Sequence, residues 1–297
     1  MKLFKLLIVS AIATMVAMSC GVDTDGVQRP NGATHRITAS TETHSRTSLD
    51  GSYNVVWSEG DHLVVTAATA DQQNGSATLY SLVEGAGTTT GVFEGGFNTT
   101  FDIYSAFYPY DYYAGSNYSG IILFLLPVEN AIFVERNIAN NANPMYGVGS
   151  TDKGLQLQNL CGILELPIKG EGTLSTITLE SDKSVAGYFA VLNGETDLYR
   201  VENYPQSNIV SGCLEPAIAL SSTPRSVYIL LPPDIYNSLT ITTIDSNGKS
   251  TTLTSSNPIT IERSGITVVS AFSHKPNGGN SDSDLENPQE KPEIGWN

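Results

Sequence analysis

Along most of this chain apolar and polar residues alternate over short runs, and turn-forming residues separate the runs. Alternation with a period of two puts one set of side chains on one face of an extended segment, the signature of a half-buried β-strand. The sequence therefore predicts strands over 35–41, 54–57, 62–67, 77–83, 103–108, 121–128, 162–168, 174–179, 187–192, 226–231, 239–244 and 266–272. In the clearest run Leu164, Leu166 and Ile168 share one face and Glu165, Pro167 and Lys169 the other. Proline has no N–H to give a ladder, so Pro167 predicts an edge strand or a strand end. The clearest hairpin joins Leu239–Asp245 to Ser250–Thr254 through Ser246, Asn247 and Gly248, because Asn-Gly supplies the positive φ that a tight β-turn needs. Many short strands with turn signals between them predict an all-β body built of β-sandwiches.

The two ends depart from this pattern. Lys2 and Lys5 precede an apolar stretch over 6–18. Those 13 residues match the core of a signal peptide and fall short of the ~20 that a spanning helix needs. The stretch ends in Ala17-Met18-Ser19-Cys20, which resembles the lipobox cut by bacterial lipoprotein signal peptidase. Residues 1–19 are thus expected to be a lipoprotein signal peptide, and Cys20 the lipid attachment site. Acyl chains such as palmitate contribute about 0.8 kcal/mol per buried CH₂, so two or three of them anchor a chain durably in outer-membrane lipid. Residues 20–32 read as a polar tether and 276–297 as a disordered acidic tail, both too poor in apolar residues to offset the entropy of ordering. The Asn-rich segment 137–143 and the glycines Gly147 and Gly149 beyond it place a domain boundary near 150. This divides the body into an N-terminal β-sandwich over 33–150 and a C-terminal one over 151–275. A length of 297 residues predicts the same number of domains at roughly 150 residues each.

Composition narrows the partners. Fifteen Lys and Arg stand against 30 Asp and Glu, a net charge of −15. Losing Lys2 and Lys5 with the leader leaves 13 basic against 30 acidic residues, or −17. Such a surface repels phosphates, so nucleic acid is excluded as a partner. Export puts Cys161 and Cys213 where a disulfide is permitted. Cys161 lies in an apolar run and Cys213 between Gly212 and Leu214, and the two read as buried free thiols.

The sequence holds no phosphate-binding glycine loop, GxSxG elbow or HExxH helix, and His35, His44, His62 and His274 lack metal-ligand spacing. It offers no catalytic residue, metal site or cofactor, and the expectation is a protein that is not an enzyme. One cluster stands out: Tyr104, Tyr108, Tyr110, Tyr112 and Tyr113, with Tyr118 just beyond. Flat rings bearing hydroxyls stack on sugars when exposed and pack into cores or interfaces when buried. An exposed cluster would make the chain a surface glycan-binding lipoprotein using 104–118, the alternative to the reading that follows.

Several stretches in order resemble the Bacteroides-type fimbrillin family. They are Arg46-Thr47-Ser48-Leu49-Asp50-Gly51, then Val55-Val56-Trp57-Ser58-Glu59-Gly60-Asp61, the run from Tyr104 to Tyr110, Asn159-Leu160-Cys161-Gly162-Ile163-Leu164 and Val227-Tyr228-Ile229-Leu230-Leu231-Pro232-Pro233. The resemblance implies an outer-membrane, surface-exposed lipoprotein with two tandem transthyretin-like β-sandwich domains, acting as a structural subunit, anchor or tip of fimbriae in adhesion or biofilm. In pilus-forming members an arginine-specific protease removes the first strand, and a strand of the next subunit fills the groove. Arg46 and Arg36 are the candidate cut sites here. The implied partners are other fimbrial subunits, joined by strand addition, and a host or bacterial surface receptor.

Overall fold

The computed structural model describes residues 34–42, 56–68, 77–96, 103–116, 121–129, 132–134, 142–150, 152–192 and 194–275. Its strands begin with β1 (His35–Thr41), β2 (His62–Ala68), β3 (Thr78–Glu84), β4 (Thr90–Gly95) and β5 (Ile103–Tyr108). A 3₁₀ turn at Tyr110–Tyr112 leads to β6 (Tyr113–Ser116), β7 (Ile122–Leu126), β8 (Ile132–Val134), β9 (Met145–Ser150) and β10 (Gly154–Asn159). Then come β11 (Gly162–Gly170), β12 (Thr173–Ser181), β13 (Ala186–Val191), β14 (Tyr199–Arg200), β15 (Gln206–Ser207), β16 (Ile209–Ala219) and β17 (Arg225–Leu231). The last are β18 (Asp234–Tyr236), β19 (Leu239–Asp245), β20 (Ser250–Thr254), β21 (Ile259–Ile261), β22 (Ile266–Val268) and β23 (Phe272–His274). The all-β class expected from the alternation is the class observed.

Seven strands close into a barrel in the order β1-β10-β9-β5-β2-β3-β4. Its interior is filled by Ile37, Trp57, Leu63, Val65, Tyr80, Phe93, Tyr104, Tyr108, Met145, Leu155 and smaller neighbours. The C-terminal body packs two sheets on one core: β22-β11-β17-β8, with β23 also on β11, and β16-β12-β19-β20. A third sheet, β14-β13-β7-β6, joins them to the outside of the barrel, where Phe107 meets Phe124 at 5.0 Å between ring centres and Phe124 stacks on Phe189 at 6.2 Å. Strand pairing does not follow chain order: β9 and β10 on either side of residue 150 pair with each other, while β7 and β8 pair with β13 and β17 of the later chain.

Local departures from the sequence reading have local causes. Pro167 does not mark an edge, because β11 is central, paired with β17 on one side. On its other side β22 pairs through Glu165 and β23 starts at Ile168. The missing N–H therefore falls in the gap between two short parallel partners, and the expected 266–272 strand is split there. Glu165, expected on a solvent face, is buried and accepts a hydrogen bond from Ser226 Oγ at 2.7 Å. Gly147 and Gly149, read as linker glycines, sit in β9 where a Cβ would meet the Gln156 and Gly154 carbonyls at 2.1 and 2.0 Å. They are there because β10 passes too close for a side chain. The predicted hairpin is observed, with Gly248 at φ 76° and its N–H on the Asp245 carbonyl. Cys161 is buried as expected, but Cys213 is exposed, since it lies opposite Thr176 on the outer face of its sheet. Both are free thiols.

Candidate functional site

The feature with the most consequence for function is β1. It is the first described element, yet it sits between two strands: antiparallel to β4 over 35–40 and parallel to β10 over 39–41. Its sequence His-Arg-Ile-Thr-Ala-Ser-Thr alternates, so Ile37, Ala39 and Thr41 point into the barrel while Arg36, Thr38 and Ser40 face outward. The outward side is fastened by polar contacts. Arg36 Nε donates to Glu94 and its Nη1 to Glu84, both at 3.0 Å, and Ser40 Oγ lies 3.0 Å from Thr90 Oγ1. The charged pairs are largely solvated and contribute little on their own.

Beneath β1 lies a tryptophan-centred core. Trp57 is buried, donates its Nε1–H to the Ala39 carbonyl at 3.2 Å, and packs edge-on to Phe93 and Tyr108 at 4.9 and 5.5 Å. The expected strand over 54–57 is not observed in its described part; Val56 and Trp57 are irregular, with Trp57 bonded through its backbone to Thr88 and Gly87. Asp61 closes the turn that follows: its Oδ2 accepts the Ser58 N–H at 2.7 Å and its Oδ1 accepts the Tyr108 hydroxyl at 3.0 Å. Burial pushes the Asp61 carboxyl up from its ordinary value, and these two hydrogen bonds oppose the shift. In the sequence Trp57 ends the strand expected over 54–57 and Asp61 belongs to a stretch that resembles a family; in the fold Trp57 is the floor of β1, and Asp61 ties the turn after it to Tyr108.

The end of β1 is latched to the C-terminal body. Glu42 accepts bonds from Arg263 Nη1 at 3.0 and 3.2 Å and a short one from Ser264 Oγ. The same Arg263 nitrogen donates to the Asn159 carbonyl at 3.0 Å, and Asn159 Nδ2 reaches Ser264 Oγ at 3.4 Å. Ser264 holds a positive φ of 60° to present its hydroxyl there. This contact joins residues more than 220 positions apart, and periodicity carries no signal for it.

The predicted site residues fall as follows. Tyr104 and Tyr108 are 0% exposed, inside the barrel. Tyr113 is buried in the seam between barrel and C-terminal body, where Tyr110 and Tyr112 also pack. Burial pushes the Tyr112 and Tyr113 hydroxyls up, and Tyr113 donates to Ser116 Oγ at 3.0 Å. Of the described tyrosines, Tyr104, Tyr108 and Tyr113 are thus buried, and Tyr110 and Tyr112 are partly buried against the same core. Alternation in β5 explains this, because both of its faces are covered, one by the barrel interior and one by the C-terminal body. Arg36 lies within β1; Cys20, Arg46 and Tyr118 lie outside the described residues. Among the described residues no group of three His, Cys, Asp or Glu side chains has the arrangement to hold a metal ion.

No family model and no curated protein matches the chain. Among solved structures it is similar to a candidate cell adhesion protein from Bacteroides uniformis, at 11% identity and a TM-score of 0.48, covering 80% of this chain and 94% of that one. A fimbrial assembly protein from Parabacteroides distasonis overlaps at 8% identity and a TM-score of 0.39, over 80% of this chain and 90% of the other. A fimbrial protein from Bacteroides ovatus overlaps at 10% and 0.40, over 83% of this chain and 49% of its own.

Proposed function

We propose that this chain is a non-enzymatic, lipid-anchored surface protein that serves as an accessory or anchor component of fimbriae, with a role in adhesion. The observation that carries the reading is the placement of β1: the first described strand, held between β4 and β10 and followed in sequence by the segment that contains Arg46. A strand in that position can be exchanged for one from another subunit with the same ladder and the same inward side chains. Of the two candidate cut sites Arg46 suits such an exchange, since a cut there leaves β1 whole, whereas Arg36 is inside the strand and bound to Glu84 and Glu94. Acylation of Cys20 accounts for the polar tether between anchor and body.

Fractionation of cells expressing the parent or Cys20→Ala tests this reading. The parent is expected in the outer membrane, accessible to protease added to intact cells and present in purified fibres at well below the level of the main subunit. Cys20→Ala is expected in the soluble fraction. A parent protein found inside protease-resistant cells, or a variant that partitions as the parent does, overturns it.

A further inference from the structure

We propose that the free edge of β20 is a self-association surface, through which a second copy of this chain adds its own β20 to make a continuous eight-stranded sheet. The proposal stands apart from the exchange of β1, because β1 lies in the barrel and this edge belongs to a different sheet, of order β16-β12-β19-β20.

The directions of the backbone groups define the edge. Asp245 N–H donates to the Lys249 carbonyl at 2.9 Å and Ser255 N–H to the Leu239 carbonyl at 2.8 Å. In an antiparallel pair such bonded positions alternate with non-bonded ones. Thr251 and Leu253 therefore spend their backbone groups on β19, and Ser250, Thr252 and Thr254 turn theirs outward. Among the described residues no strand pairs with β20 on that side. The inward side chains, Thr251 and Leu253, are already buried, and the outward ones are all hydroxylic and exposed. An added strand thus needs no repacking of the core.

Edges are normally protected by charge, proline or a bulge. The opposite edge strand, β16, carries Glu215 and Pro216 and faces β12 across a break in register. β20 reads Ser-Thr-Thr-Leu-Thr, with high strand propensity and no charge, in a chain of net charge −15. Charge selects the occupant. Most surfaces of this protein repel a second copy, but β20 set antiparallel against itself about Thr252 places no acid opposite an acid. Thr252 would face the partner's Thr252, and Ser250 the partner's Thr254, each pair exchanging two backbone bonds. The two Lys249 side chains would fall at opposite ends of the ladder, roughly 20 Å apart. The side chains are already arranged for it. Thr242 and Thr252 hydroxyls lie 3.0 Å apart, Thr240 and Thr254 also 3.0 Å, and Thr178 and Ser211 2.9 Å, so rows of hydroxyls cross the sheet and would continue through the dyad.

Sedimentation velocity on the purified chain, with a disulfide trap, tests the proposal. A concentration-dependent dimer is expected, and Thr252→Pro should weaken it by at least about tenfold, since proline removes an outward N–H that the monomer does not use. In a Cys213→Ser background Thr252→Cys should oxidise to a covalent dimer, because facing Cα atoms in a bonded pair lie ~5.5 Å apart. Thr240→Cys should not, as its mate would be three strand spacings, ~14 Å, away. The trap requires no fold-disturbing change and so decides the matter if Thr252→Pro fails to fold. A chain that stays monomeric at every concentration, as it would if its own tail covered the edge, overturns the proposal. So does a dimer that neither Thr252→Pro weakens nor Thr252→Cys traps.

Discussion

His274 is the last residue of β23 and is buried, with Nδ1 2.8 Å from Thr243 Oγ1 and Nε2 without a partner among the described residues. Whichever nitrogen carries the proton in the neutral ring, a second proton would place a buried charge with one ring N–H unsatisfied. Burial accordingly pushes its pKa below the ordinary 6.5, and the charge of Asp245 on the neighbouring hairpin opposes the shift. A histidine whose folded pKa is depressed adds stability above its unfolded value, and that stability is lost as pH falls toward the folded value. The thermal midpoint of the parent should therefore drop more steeply than that of His274→Gln as pH is lowered from about 7.5 to about 5, with the two curves separating below about 6.5. Parallel curves would show that His274 does not couple folding to protons. In the sequence His274 is one of four histidines without metal spacing; its burial depends on β23 pairing with β11, more than 100 residues earlier.

Among the strands, β1 is defined by what holds it: two ladders, the Trp57 floor and the Glu42 latch. Arg263 and Glu42 are about a third and a fifth exposed, so the ion pair itself is worth about 1 kcal/mol or less. Its position matters more than its strength, because it fastens the C-terminal end of β1, where the parallel ladder with β10 is only three residues long. Arg263→Ala is expected to lower global stability by less than about 1 kcal/mol while amides of 37–41 exchange with solvent severalfold faster than those of β19. Uniform exchange across both strands would mean that β1 is not separately latched. The strands themselves are legible: β1 and β19 lie where the alternation puts them, because each has one face on a core, and β5 and β17 are short apolar runs buried on both faces. β16 was not, since Gly212, Glu215 and Pro216 interrupt its pattern, and β9 was hidden by glycines that a close neighbour requires. Pairing partners were illegible for a different reason. A period of two states which face is buried but not which strand lies alongside, so the parallel contact of β1 with β10 and the closure of the barrel could not be read from the chain.

For the molecule as a whole the question is what a cut at Arg46 would release. The covalent link from β1 to the rest of the barrel would be gone, leaving the ladders to β4 and β10, the Arg36 pairs and the Glu42 latch. If β1 then departs, Phe93, Leu155 and Trp57 lose the cover of Ile37 and Ala39, and each buried backbone group left unsatisfied costs about 1 to 3 kcal/mol. Such a groove does not stay empty: it keeps its own strand or takes another. A strand from a second copy would have to alternate as β1 does, with apolar residues at every other position. The C-terminal segment 276–297 is polar and acidic, with Ile294 and Trp296 at its end, and it makes a poor replacement for Ile37, Ala39 and Thr41. Treatment with an arginine-specific protease should therefore trim the N-terminal segment while light scattering records no species larger than the uncut protein forms. A synthetic peptide of 33–42 should be retained by protein cut and stripped of β1, restoring its thermal midpoint, because it re-forms both ladders. Ladders of higher oligomers growing from the cut chain alone would instead make it a repeating shaft subunit, and would place the donor strand within this sequence.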